Sequence, residues 1–215
     1  MTQPQADCRI YLVVEADPAA SQRLIAASRV AEIACCLIVP AAATALDAGA
    51  AKPLVAAAQR SGIAALIADD PDLARAVRAD GVHLSAARKP DLNYAAARTT
   101  LGSGAIVGAD VGVSRHDAMA LAEAGADYIA FGAPSHLKDR VRARERRDDL
   151  IRWWGEIFEV ACVALDVDEP AEAERLARAG ADFVGVCLPA AQSAAAQSDL
   201  LTQIGAAIDA AVAAS

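Results

Sequence analysis

Leu121-Ala-Glu-Ala-Gly-Ala-Asp-Tyr-Ile-Ala-Phe-Gly-Ala-Pro134 holds the end of a helix, a tight Gly-Ala-Asp turn, and a short apolar strand closing in Gly-Ala-Pro. The pattern returns at Leu176-Ala-Arg-Ala-Gly-Ala-Asp-Phe-Val-Gly-Val-Cys-Leu-Pro189, and a fainter copy stands at Ala76-Val-Arg-Ala-Asp-Gly-Val-His-Leu84. Each copy stops a helix at a small residue or glycine, where an unhindered backbone turns sharply. Each then runs four or five apolar residues without alternation, which marks a strand buried on both faces. A helix-to-buried-strand unit repeated along one chain predicts a parallel α/β protein.

The flanking sequence continues the rhythm. Strands are predicted at 9–15, 33–39, 64–68, 81–84, 105–108, 128–131, 160–165 and 183–187. Helices are predicted at 17–31, 52–61, 71–77, 91–100, 114–124, 149–157, 169–179 and 200–213, leaving 135–149 as a polar, basic loop. Eight strands each followed by a helix is the count for one (β/α)8 TIM barrel spanning residues 1–215. An open doubly wound sheet is the alternative, but no Gly-x-Gly-x-x-Gly follows any strand.

Composition narrows the function classes. The chain is 55% hydrophobic and 4% aromatic, so its core is built from small side chains. A net charge of −8 argues against nucleic acid, whose phosphates demand a basic footprint. Cys8, Cys35, Cys36, Cys162 and Cys187 show no metal-binding spacing, and most lie in strand-like runs, which suits a reducing cytoplasm. The N-terminal residues lack the basic start and apolar run of a signal peptide, and no stretch reaches membrane-span length. The alanine-rich surface and the Trp153-Trp154 pair suggest a homodimer.

The order of motifs from Gly62 to Pro189 resembles the thiamine phosphate synthase/TenI family: Leu66-Ile-Ala-Asp-Asp70, Ala79-Asp-Gly-Val-His-Leu84, Ile106-Val-Gly108 and Gly125-Ala-Asp-Tyr-Ile-Ala-Phe-Gly132. The resemblance implies a small barrel. It implies joining of a pyrimidine methyl diphosphate to a thiazole phosphate with Mg²⁺ and release of pyrophosphate or, in the TenI branch, a thiazole rearrangement. Asp69 is the metal ligand it implies. Several positions depart from the family. The Gln-Leu-Arg and nearby Lys that grip the diphosphate after the second strand are replaced by Leu37-Ile-Val-Pro-Ala41. Arg88 stands where a second metal-binding Asp belongs, and Leu165-Asp-Val167 replaces a Gly-Gly phosphate turn. Ser135-His-Leu-Lys138 only echoes the family's Thr-x-Thr-Lys.

The residues themselves offer a second cationic source. Lys138-Asp-Arg-Val-Arg-Ala-Arg-Glu-Arg-Arg147 carries six cations in ten residues after the sixth strand. Arginines bind phosphates bidentately, so Arg140 and Arg142 are candidate substrate ligands, with Lys138 and His136 as candidate catalytic groups. A solvated ion-pair network is the plainer reading of the same run. His83, among apolar neighbours, suits a structural histidine better than a general base, but it and Cys187 lie where substrate would lie. Asp70 suits a cap for the Pro71 helix, and Ser114 with Asp117 a cap for the next. The expected activity is thiamine phosphate synthesis. A barrel that binds another small anion, or TenI-type isomerisation with His116 or His136 as base, are the alternatives.

Overall fold

A computed structural model describes residues 8–41, 45–87, 89–133, 138–189 and 191–213. Its strands are β1 (Arg9–Ala16), β2 (Ile33–Pro40), β3 (Ala64–Ala68), β4 (Gly81–Leu84), β5 (Ile106–Asp110), β6 (Tyr128–Phe131), β7 (Ala161–Ala164) and β8 (Phe183–Leu188). Its helices are α1 (Ala20–Ala27), α2 (Ala48–Arg60), α3 (Pro71–Val77), α4 (Pro90–Leu101), α5 (Arg115–Glu123), α6 (Arg140–Ile157), α7 (Pro170–Arg178) and α8 (Ala194–Ala213). All strand pairs are parallel, and β8 returns to β1 to close the barrel.

The repeat in the sequence has a structural cause. The aspartate opening each copy accepts a backbone N–H from the preceding strand. Asp80 takes Ala65, Asp127 takes Val107 and Asp182 takes Cys162, each at 2.7 Å. A buried amide at a strand start needs such a partner. The aspartates stand before β4, β6 and β8, so the pattern recurs every second strand. The turns leading to them need left-handed backbone, supplied by Gly125 (φ 92°) and Gly180 (φ 99°), and in the fainter copy by Arg78 (φ 59°).

Outward-facing strand residues such as Leu12, Ile38, Ile67, Val107, Ile129 and Val184 pack beneath the helices. Tyr11, Leu37, Leu66, Tyr128, Ala130 and Val163 fill the barrel interior. Gly108 is required there, because a Cβ at that position would lie 2.1 Å from the Tyr128 ring. Of the tryptophans, Trp154 is core and donates its indole N–H to Val160 O at 2.6 Å. Trp153 is partly buried beneath the Arg115 guanidinium.

Several boundaries correct the sequence reading. Helix α6 begins at Arg140 rather than near Asp149, so most of the expected basic loop is helix. Helix α8 starts six residues before 200, at Ala194. Asp17 and Pro18 precede α1 instead of opening it, because the Asp17 carboxylate is taken by Ala19 N and by Arg23. Strand β5 runs two residues past Gly108, to Asp110. Among the described residues, no helix is long and apolar enough to cross a membrane.

Candidate active site

The carboxyl ends of the strands form an acidic mouth. Asp69 follows β3 in a left-handed conformation (φ 56°). Its Oδ1 accepts Ser85 N–H at 2.7 Å and its Oδ2 accepts the Ser85 hydroxyl at 2.6 Å, which locks its orientation. Asp70 caps α3 by accepting Leu73 N–H at 2.8 Å. Asp110 ends β5, with Oδ1 on Gly112 N–H at 2.7 Å. Burial pushes the Asp110 carboxyl up to about 6, helped by the nearby charges of Asp166 and Asp69 and opposed by the Gly112 bond. Asp166, just after β7, is also left-handed (φ 61°), the backbone a glycine would adopt, and its Oδ2 accepts Ala133 N–H at 2.9 Å. Cys187 is exposed on β8. Loss of water around its sulfur, then the charges of Glu15 and Asp166, push its thiol up to about 11, so it is no thiolate nucleophile at neutral pH.

Beneath the mouth lies an uncharged polar floor. His83 Nδ1 is 2.8 Å from the Tyr128 hydroxyl and 3.2 Å from that of Tyr11, and the two hydroxyls are 2.9 Å apart. Burial holds both phenols well above their usual range and lowers His83 to about 4, although Asp69 pulls it upward. All three are therefore neutral at pH 7. Donation from Tyr11 to Tyr128 to His83 Nδ1 uses the hydroxyl protons in turn. The His83 and Tyr128 rings are stacked, with centroids 5.8 Å apart.

The cations lie to one side, on α6, and its helical geometry sorts them. Arg140, Arg144 and Arg147 are spaced i, i+4, i+7 and face the β7–α7 connection. Arg144 donates to Asp168 at 2.6 and 2.9 Å, and Arg140 lies 3.6 Å from the same carboxylate. Arg147 is fully buried and bonds Leu165 O at 2.8 Å, Glu172 at 2.6 Å and Asp148 at 3.0 Å. On the other face, Arg142 and Arg146 join Lys138, Gly132, Gly112 and Val113 around a cleft of about 390 Å³. The amino end of the 18-residue α6 opens onto this cleft, with Asp139 capping Arg142 N–H at 3.0 Å. Three cations and a helix N-terminus, offset in part by the Asp139 carboxylate that also lines the cleft, give this side the groups that favour an anion.

The structure thus brings Asp69, His83 and Cys187 to the mouth and its floor, and Lys138 and Arg142 to the adjoining cleft. It turns Arg140 away toward Asp168, a consequence of the helix that the alternating sequence hid. His136 and Arg88 fall outside the described residues. His116 lies in the first turn of α5, where Ser114 caps Asp117 N–H at 3.2 Å. Asp110 was missed by the sequence reading, and Arg146 stood in the basic run without being singled out as a ligand. A β5 extended by two residues would have exposed the first, and i, i+4 spacing from Arg142 the second.

The donor set suits a metal brought by its ligand better than a resident one. Among the described residues, no group of three His, Cys, Asp or Glu side chains could hold a metal ion. The Asp69 carboxylate uses two of about four lone-pair positions on Ser85, leaving room to share an ion with phosphate oxygens.

Comparison with known proteins places these features. The family pattern described as Thiamine monophosphate synthase matches residues 11–189. The chain is 37% identical over 190 residues to a thiamine-phosphate synthase of Rhodospirillum centenum, covering 84% of this chain and 88% of that protein. It is 41% identical over 138 residues to the thiamine-phosphate synthase of Erythrobacter litoralis, covering 63% of each. Among solved structures, thiamine phosphate pyrophosphorylase from Pyrococcus furiosus superposes with a TM-score of 0.74 at 18% identity, covering 96% of this chain and 98% of that one.

Proposed function

The chain belongs to the thiamine monophosphate synthase family, and we propose that it joins a pyrimidine methyl diphosphate to a thiazole phosphate, releasing pyrophosphate. The observation that carries this reading is the cationic cleft of Lys138, Arg142 and Arg146 beside the barrel mouth. It supplies the charge that the strand-two position lacks. In the reaction, the bond between the pyrimidine methylene and the diphosphate oxygen breaks, and its electron pair leaves with the diphosphate. The thiazole nitrogen then donates its lone pair to the methylene, forming the C–N bond of a thiazolium product.

No strong base is needed. The protein must hold two rings in line and stabilise charge as it separates. Lys138, Arg142 and Arg146 face the charge gathering on the leaving group. Tyr11, His83 and Tyr128 offer the pyrimidine a floor of neutral polar groups, and the carboxylates of Asp69 and Asp110 favour the cation left on that ring. Asp69 is the side chain that would hold Mg²⁺, whose charge assists departure of the diphosphate when it is bound. Cys187 borders the space for the thiazole, and cysteines that form no disulfide among the described residues suit a cytoplasmic setting.

The test is a single-turnover assay with protein in excess over both substrates, with and without Mg²⁺, reading thiamine phosphate by mass spectrometry. Product formation that is lost in Lys138→Ala supports the reading. Absence of product from folded protein overturns it and leaves the cleft to a different anionic ligand.

A further inference from the structure

We infer that Asp166 and Arg147 are positioning residues that hold the start of the β6–α6 segment in place for anion binding. The inference rests on the cleft assigned above. Arg147 has no exposure, and its guanidinium reaches Leu165 O at 2.8 Å and Asp166 O at 3.5 Å from behind the β7 turn. The turn it grips is the left-handed one at Asp166. From the other side, the Asp166 carboxylate accepts Ala133 N–H at 2.9 Å. Ala133 follows Gly132, which lines the cleft. A continuous set of contacts therefore runs from the buried face of α6, through the β7 turn, to Ala133 beside the cleft-lining Gly132. Arg144 and Arg140 brace the same connection through Asp168.

The geometry distinguishes this role from simple stabilisation. Arg147 could satisfy its charge on Glu172 and Asp148 alone, yet it also spends a limb of its fork on the carbonyls of the turn. Asp166 is exposed and makes no ion pair within 4.0 Å among the described residues. Its carboxylate is instead fixed on a single backbone amide at the edge of the site. An anionic group beside an anion cleft repels the ligand, so what it contributes is the placement of Ala133.

Two substitutions remove the same charge, and one of them keeps the hydrogen bond. Asp166→Asn keeps a carbonyl oxygen for Ala133 N–H and tolerates the left-handed backbone. Asp166→Gly keeps the backbone and loses the acceptor. The experiment is calorimetric titration of the full chain with inorganic pyrophosphate, alongside thermal unfolding. Asp166→Asn, which lifts the repulsion and keeps the acceptor, is expected to bind at least as tightly as wild type, and Asp166→Gly about five- to tenfold more weakly than Asp166→Asn. Arg147→Lys, which keeps the charge and loses the fork, is expected to weaken binding similarly. Equal pyrophosphate binding by Asp166→Asn and Asp166→Gly, and by wild type and folded Arg147→Lys, overturns the positioning role while leaving the cleft intact. Wild-type protein that does not bind pyrophosphate overturns the cleft assignment, and the positioning role with it.

Discussion

The Tyr128 hydroxyl and His83 Nδ1 meet at 2.8 Å inside the barrel, contributed by strands that are separated by β5. The pair is possible only because Gly108, on the strand between them, has no side chain to occupy the space of the Tyr128 ring. Tyr128→Phe is expected to leave His83 with its longer Tyr11 contact alone and to cost about 1–3 kcal/mol. Urea unfolding at pH 7 measures this.

Asp110 gives the protein a pH dependence of unusual sign. Its folded-state value, about 6, lies above the ordinary carboxylate value of 3.8. The native state therefore holds a proton that the unfolded chain has released, and stability falls as pH rises from about 4 to about 6. The contribution is at most about 3 kcal/mol. Asp110→Asn keeps an acceptor for Gly112 N–H and removes the charge. It is expected to be more stable than wild type at pH 7–8 and equal to it near pH 4, as read by thermal unfolding across pH.

The two faces of α6 predict opposite outcomes for neighbouring arginines. Arg142→Ala and Arg146→Ala are each expected to weaken pyrophosphate binding about tenfold. Arg140→Ala, whose guanidinium already serves Asp168, is expected to change it less than about twofold. Titration of the three variants at one ionic strength is the check.

Arg147→Ala takes from Glu172, which is 2% exposed, its 2.6 Å partner and leaves it only the longer contacts to Arg144 at 3.4 Å and Arg175 at 3.9 Å. Breaking a buried pair on one side costs about 3–5 kcal/mol. Asp148 suffers less, because Arg175 remains 2.8 Å away. Glu172→Gln with Arg147→Met, which removes both charges, is expected to recover part of the loss in a denaturant series.

The fold was legible where local chemistry marks boundaries. The spans 64–68, 71–77, 81–84 and 128–131 match their predicted limits because Gly, Pro and Asp punctuate each one. Helix α6 was not, since apolar periodicity is the main signal for a helix and its first ten residues have almost none. Their order comes from ion pairs with α7, which is tertiary information. Asp69 and Lys138 could be placed at the mouth because strand order alone puts them there. The Tyr11–His83–Tyr128 contact joins residues 72 and 45 positions apart, and nothing local encodes it.

The sorting of charge along α6 also governs how a ligand arrives. With a net charge of −8, the surface as a whole turns anions away, while Lys138, Arg142 and Arg146 open an attractive window. Capture of a diphosphate is then a matter of long-range steering as much as of contact. Its association rate should drop steeply between about 0.01 M and 0.15 M salt, as the Debye length shrinks from about 30 Å to about 8 Å and the window fades into the surrounding repulsion.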